Sequence, residues 1–182
     1  MSSDGIKRIC LWSGPRNIST ALMYSFAQRS DTKVFDEPLY AYYLQHTNAK
    51  EYHPGAEEIL AAMENDGQKV VEMMLRENDK PVLFFKHMTH HLLDLDRSFM
   101  SETVNVILTR NPYDMLPSFA KMIEKPTMQD VGYAQHVHLV KDLESRGITP
   151  IIIDSEEIVK NPEKALADFC NALEIPFEKD ML

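Results

Sequence analysis

The stretch Gly14-Pro15-Arg16-Asn17-Ile18-Ser19-Thr20 follows the apolar run Ile9-Cys10-Leu11-Trp12 and opens a predicted helix. Residues of these types, between a strand and a helix, suit the binding of an anion. Gly14 permits a tight turn, and the amides of Arg16 to Thr20 point into a cradle at the partly positive helix end. Ser19 and Thr20 add hydroxyl donors, and Arg16 adds a fixed charge. The Gly-Lys-Thr that a nucleoside triphosphatase needs for its phosphates and magnesium is missing. An ordinary structural reading stands beside this one: Gly-Pro makes a turn and Asn17 or Ser19 caps a helix.

Three further places carry chemistry. Val34-Phe35-Asp36-Glu37-Pro38 ends a predicted strand with two carboxylates; Pro38 is expected to hold Glu37 extended, where it can serve as a general base. Phe84-Phe85-Lys86-His87-Met88-Thr89-His90-His91 has the form of a strand running into a turn. Its histidines match no zinc pattern, so one of them, or Lys86, is expected to face a cleft, and no metal is assigned. His87, with an intrinsic pKa of about 6.5, is the second candidate for the base. The last place is Ile107-Leu108-Thr109-Arg110-Asn111-Pro112, where Arg110 leaves a strand just before a helix that starts on proline. Ser118 follows Arg110 by eight positions, about two turns on, so the pair can grip one phosphate from two sides. The structural alternative is a pairing of Arg110 with Asp114.

The elements that must position these residues are five short apolar runs: Ile6 to Trp12, Thr32 to Phe35, Val82 to Phe85, Val104 to Thr109 and Ile151 to Ile153. Continuous rather than alternating apolar character marks strands covered on both faces, which predicts a parallel sheet between two helical layers. Helices are predicted over Ile18 to Arg29, Ala56 to Asn78 with a break at Asp66-Gly67, and His91 to Met100. Others are expected over Pro112 to Glu124, Met128 to Arg146 and Pro162 to Leu173. With 182 residues, of which 44% are hydrophobic, a single domain with a full core is expected. A net charge of −9 argues against a nucleic-acid surface, which needs a basic face. Neither a signal peptide nor a membrane-spanning run is seen, so a cytoplasmic location and no membrane insertion are expected. Cys10 and Cys170 are expected to be reduced core residues. The sequence stops soon after the last helix, so a C-terminal lid or tail is expected to be missing.

Together these motifs resemble the sulfotransferases that use 3′-phosphoadenosine-5′-phosphosulfate (PAPS). In that family a loop after the first strand, commonly Pro-Lys-Ser-Gly-Thr-Thr, binds the 5′-phosphosulfate, and an Arg with a Ser eight positions on binds the 3′-phosphate. Pro15-Arg16-Asn17-Ile18-Ser19-Thr20 stands at the first place, with Ile18 for the glycine and Arg16 for the lysine, and Arg110 with Ser118 at the second. Ile151-Ile152-Ile153-Asp154, Asn161-Pro162 and the following helix are similar to the family's last strand and helix. Phe35-Asp36-Glu37-Pro38-Leu39 looks like the carbohydrate-type branch, where a glutamate at this place is a proposed base. The resemblance implies a three-layer P-loop-like α/β fold with a five-stranded parallel sheet. It also implies sulfuryl transfer from PAPS to a hydroxyl or amine of a small-molecule or carbohydrate acceptor, leaving 3′,5′-bisphosphoadenosine (PAP), with no metal required. Arg16, Ser19, Thr20 and the loop amides then stabilise charge on the sulfuryl group and the departing phosphate, while Glu37 or His87 takes the acceptor's proton.

Two other readings remain open. A P-loop kinase or nucleotidase is suggested by Asp36 and Asp154, each ending a strand where a metal-coordinating Asp is found. A nucleotide-binding protein without turnover would carry the same cradle. Tyr40, Tyr42, Tyr43, His46 and Tyr52 crowd the segment after Glu37 and are candidates to line an acceptor pocket, or equally to fill core.

Overall fold

All five apolar runs form strands of one parallel sheet in the computed structural model, which describes residues 5–121 and 131–182. The strands are β1 (Lys7–Ser13), β2 (Thr32–Asp36), β3 (Val82–Met88), β4 (Val104–Thr109) and β5 (Ile151–Asp154), in the order β2-β3-β1-β4-β5. The central strand β1 is wholly buried from Arg8 to Ser13. Side chains alternate between two cores. Ile9, Leu11, Phe84, Val106 and Leu108 face one, against helices α1 (Ser19–Ala27) and α8 (Pro162–Ala172). Cys10, Trp12, Leu83, Phe85 and Ile107 face the other, against α4 (Gly67–Arg76) and α6 (Tyr133–Ser145). This double cover is why the strands read as unbroken apolar runs, and it makes the three layers.

The chain leaves β1 toward β2 and leaves β4 toward β5, so the connections part between two neighbouring strands. A crevice opens there at the carboxyl ends, the usual ligand position in such sheets. The other helices among the described residues are α2 (Tyr40–His46), α3 (Ala56–Ala62), α5 (Pro112–Phe119) and α7 (Ser155–Lys160). The helix expected over His91 to Met100 does not form. Two 3-10 turns, Thr89–Leu92 and Ser98–Glu102, replace it, separated by Leu93 at φ 39° and by Asp96, whose carboxylate accepts from both the Ser98 amide and its hydroxyl. Such a local bond competes with the helix for its backbone donors. Positions 122–124 and 128–130 of two predicted helices lie outside the described residues.

After α8 the chain folds back onto α1. Met181 is buried, Ser25 Oγ donates to its carbonyl at 2.5 Å, and buried Arg29 donates to the Pro176 carbonyl and pairs with Asp31 and Glu178. Among the described residues no helix is long and apolar enough to cross a membrane. Cys10 and Cys170 are free and buried, and burial pushes the Cys10 thiol up to about 12, with a bond to Thr103 opposing.

Candidate active site

The turn after β1 is built by two left-handed residues that are not glycine. Arg16 has φ 59° and Ile18 has φ 55° and ψ 18°, with Asn17 between them outside the left-handed region. Alternation of this kind curls successive N–H groups around a concavity that suits an anion. Gly14 serves by closeness instead: a Cβ there would lie 3.2 Å from the Val131 carbonyl oxygen and 3.6 Å from the His136 ring. Pro15 lies on the rim of the cavity described below. Asn17 is buried and donates Nδ2 to the Leu108 carbonyl at 2.9 Å, tying the turn to the end of β4. It therefore does not cap α1. The cap position belongs to Ile18, which has no side-chain acceptor to offer, so the first amides of α1 make no side-chain cap bond. Ser19 is buried and Thr20 exposed on that first turn.

Arg16, Arg110 and Ser118 come together across this crevice. Arg110 Nη1 donates to the Arg16 carbonyl at 2.7 Å, and Arg16 Nε donates to Ser118 Oγ at 3.1 Å. Arg110 thus turns to the loop rather than to Asp114. Its own carbonyl accepts from Tyr133 Oη at 2.7 Å. Asn111 caps α5 through the Tyr113 amide and Pro112 sits in its first turn, so the helix starts at once behind Arg110.

Glu37 is not extended as the following proline suggested. Its φ is 48°, its amide donates to the Lys86 carbonyl at 2.8 Å and its carbonyl accepts from the Tyr40 amide at 2.9 Å. The β2–β3 ladder therefore runs one residue past β2 and the chain reverses immediately, which forces the left-handed conformation. The turn brings the carboxylate onto Lys86, whose buried ammonium also holds Asp36 at 2.8 Å. Burial alone would lower the Lys86 pKa, but the charge of Glu37 and the bonds from Asp36 and Glu37 outweigh it and hold the pKa above the ordinary range.

His87 does not face the cleft. Strand β3 continues to Met88, so strand alternation puts His87 on the same face as Leu83 and Phe85. The ring is fully buried, stacks on Trp12 at 4.3 Å and leaves both nitrogens without a hydrogen bond. Burial, with the Lys86 charge adding to it, lowers its pKa to about 3. His136 is likewise buried with its pKa lowered by burial, partly offset by the nearby Ser13 carbonyl.

Beyond the ends of β1 and β3 lies a cavity of about 880 Å³ with Pro15 and Glu37 on its wall. Tyr40, Tyr43 and Tyr52 line it and Tyr42 and His46 do not, because α2 turns its two faces in different directions. His91, one of the three histidines of that stretch but not singled out there as a base, also lines it. Its ring is parallel to Tyr40 at 5.2 Å and nearly parallel to Tyr43 at 4.7 Å, and its Nδ1 lies 3.9 Å from Glu37 Oε2. Tyr40 Oη bonds His53 Nδ1, and burial and the Glu37 charge raise the Tyr40 pKa. In the sequence, His87, His90 and His91 were indistinguishable; the true end of β3 is the signal that separates them. Among the described residues no three His, Cys, Asp or Glu side chains converge as metal ligands.

The family model described as "Sulfotransferase domain" matches residues 7–182. A curated relative, the branched-chain-amino-acid aminotransferase-like protein 2 of Arabidopsis thaliana, is 44% identical over 173 residues, 94% of this chain but 30% of the relative's own length. The chain thus spans under a third of such relatives. Among solved structures, the sulfotransferase domain of the Synechococcus PCC 7002 olefin synthase superposes with TM-score 0.65 at 17% identity, over 97% of this chain and 76% of that one. A mouse sulfotransferase complexed with PAP superposes with TM-score 0.58 at 16% identity, over 96% and 62%. At these identities the structures speak for the fold alone.

Proposed function

Since the chain belongs to the sulfotransferase family, we propose that it transfers a sulfuryl group from PAPS to a hydroxyl or amine of a small-molecule or carbohydrate acceptor, releasing PAP. The observation that carries the donor assignment is the network of Arg16, Arg110 and Ser118 at the mouth of an α1 end that no side chain caps. The 5′-phosphosulfate lies along the turn Pro15 to Thr20, against amides, hydroxyls and the α1 dipole; the 3′-phosphate lies between Arg110 and Ser118. A sulfuryl group in transfer carries less negative charge than a phosphoryl group. Amides, hydroxyls and one cation can therefore stabilise it, and the reaction proposed here uses no metal.

The cavity beside Glu37 holds the acceptor, with Tyr40, Tyr43 and Tyr52 as its aromatic wall. Its size falls within the usual range for small ligands. Glu37 supplies negative charge that favours loss of the acceptor's proton as the new bond to sulfur forms. His87 is set aside, being buried against Trp12. The kinase alternative loses both of its metal carboxylates to other work: Asp36 is paired with Lys86, and Asp154 caps α7 through the Glu156 amide at 2.9 Å. The aminotransferase in the plant relative's name is said of a chain of which the matched stretch is 30%, and it is not assigned to this domain.

The test is thermal stability with PAP or 5′-AMP in chelator, and with ATP and magnesium without it. At a ligand concentration a hundredfold above its dissociation constant, PAP should add about 2.7 kcal/mol, and 5′-AMP, lacking the 3′-phosphate, far less at equal concentration. Equal stabilisation by PAP and 5′-AMP, or stabilisation by magnesium-ATP alone, would overturn the donor assignment.

A further inference from the structure

The Glu37 carboxylate presents a chemical difficulty as a base. One oxygen is held by the buried Lys86 ammonium, which keeps its full charge, so a proton placed on the carboxylate must work against an ion pair. The other oxygen faces His91, at 3.9 Å from Nδ1. That imidazole is 2% exposed, its Nδ1 has no hydrogen-bond partner, and the residue lines the cavity. A buried ring nitrogen without a partner in a native fold calls for an explanation. His87 is in the core, and His53 is engaged with Tyr40 Oη. His91 is the histidine that joins the cavity to the carboxylate.

We propose that His91 is the catalytic base and Glu37 its orienting partner, with Nδ1–H turned to Glu37 Oε2 and Nε2 receiving the acceptor's proton. This deepens the sulfotransferase reading and rests on it. In the step, the acceptor oxygen or nitrogen loses its proton to Nε2 and forms the new bond to sulfur. The bond between sulfur and the bridging phosphate oxygen breaks, and its electron pair leaves with PAP. The imidazolium formed is stabilised by the carboxylate at Nδ1 and lies over the rings of Tyr40 and Tyr43, where a cation is favoured. Lys86 stays paired with a carboxylate throughout. A gap of 3.9 Å is one that catalytic hydrogen bonds close when a substrate binds. Before that, burial keeps the ring neutral, with the Lys86 charge acting in the same direction.

The experiment is nitrogen and carbon NMR of the histidine rings in the full chain near pH 7, with His91 assigned by its loss in His91→Gln, or in His91→Phe, which retains a ring against the tyrosines. The proposal expects the Nδ1–H tautomer in the wild type, so that the unprotonated-nitrogen resonance belongs to Nε2. In Glu37→Leu the proton should move to Nε2 and that resonance should pass to Nδ1. An Nε2–H tautomer in the wild type, or one that Glu37→Leu leaves unchanged, overturns the dyad. Each variant is checked for folding by its stabilisation with PAP. Failure of PAP to stabilise the wild type counts against the sulfotransferase reading and leaves the tautomer result to be judged separately.

Discussion

Ile18 holds a left-handed backbone conformation that a β-branched side chain rarely adopts, at a cost of about 1–3 kcal/mol. The strain is maintained by the bonds on either side, chiefly Asn17 to the Leu108 carbonyl and Arg110 to the Arg16 carbonyl. Ile18→Gly should therefore raise the free energy of unfolding by about 1 kcal/mol, as measured by urea denaturation, with PAP affinity retained. A loss of stability would mean that packing of the half-buried isoleucine matters more than its backbone. Arg110→Ala should weaken PAP binding by about 1.5–3 kcal/mol, the usual worth of a charge-assisted bond, and Arg110→Lys should recover part of that loss in calorimetric titration. At this scale the sequence is readable where placement depends on types and spacing: Arg110 and Ser118, eight positions apart, both come to Arg16. It is unreadable where a role depends on a distant partner. The left-handed turn at Glu37 is dictated by pairing with Lys86, 49 positions away, against the local preference before a proline.

The five strands were legible because burial on both faces writes itself as uninterrupted Val, Ile, Leu and Phe. Their ends were less so: β3 runs three residues further than its apolar core, through Lys86, His87 and Met88, and this extension decides which histidine is packed away. Helix α2 went unread because its seven residues, Tyr-Ala-Tyr-Tyr-Leu-Gln-His, are too short for a clear period and rich in aromatics of modest helix propensity. Once formed, it divides its tyrosines by face, and this gives a paired test. Tyr43→Ala should impair binding of an acceptor and leave PAP affinity intact. Tyr42→Ala, removing a ring packed against the α4 core at Gly67, should instead cost stability, about 1–3 kcal/mol, and leave acceptor binding alone. Equal effects of the two on acceptor binding would show that the cavity is not the acceptor site.

At the scale of the molecule, three histidines among the described residues are buried in neutral form, His87, His91 and His136, each with its pKa lowered first of all by burial. Unfolding releases each to its ordinary value of 6.5, so below that pH the unfolded chain binds protons that the folded one refuses. Stability is then full above pH 6.5 and falls as the pH drops, for His87 down to about 3. His87 alone should remove about 2 kcal/mol between pH 7 and pH 5, at about 1.4 kcal/mol per unit. Urea denaturation at the two pH values should show that loss shrinking by a similar amount in His87→Phe, which keeps a ring against Trp12; an unchanged pH dependence would show that other groups set it. The same energetic logic reaches the uncapped start of α1. If the donor's anionic groups serve as that helix's cap, nucleotide binding and folding draw on one free energy, and the rate at which proteases destroy the protein in a cell becomes a function of how much activated sulfate the cell makes. Supply of the donor would then govern how long the enzyme lasts as well as how fast it works.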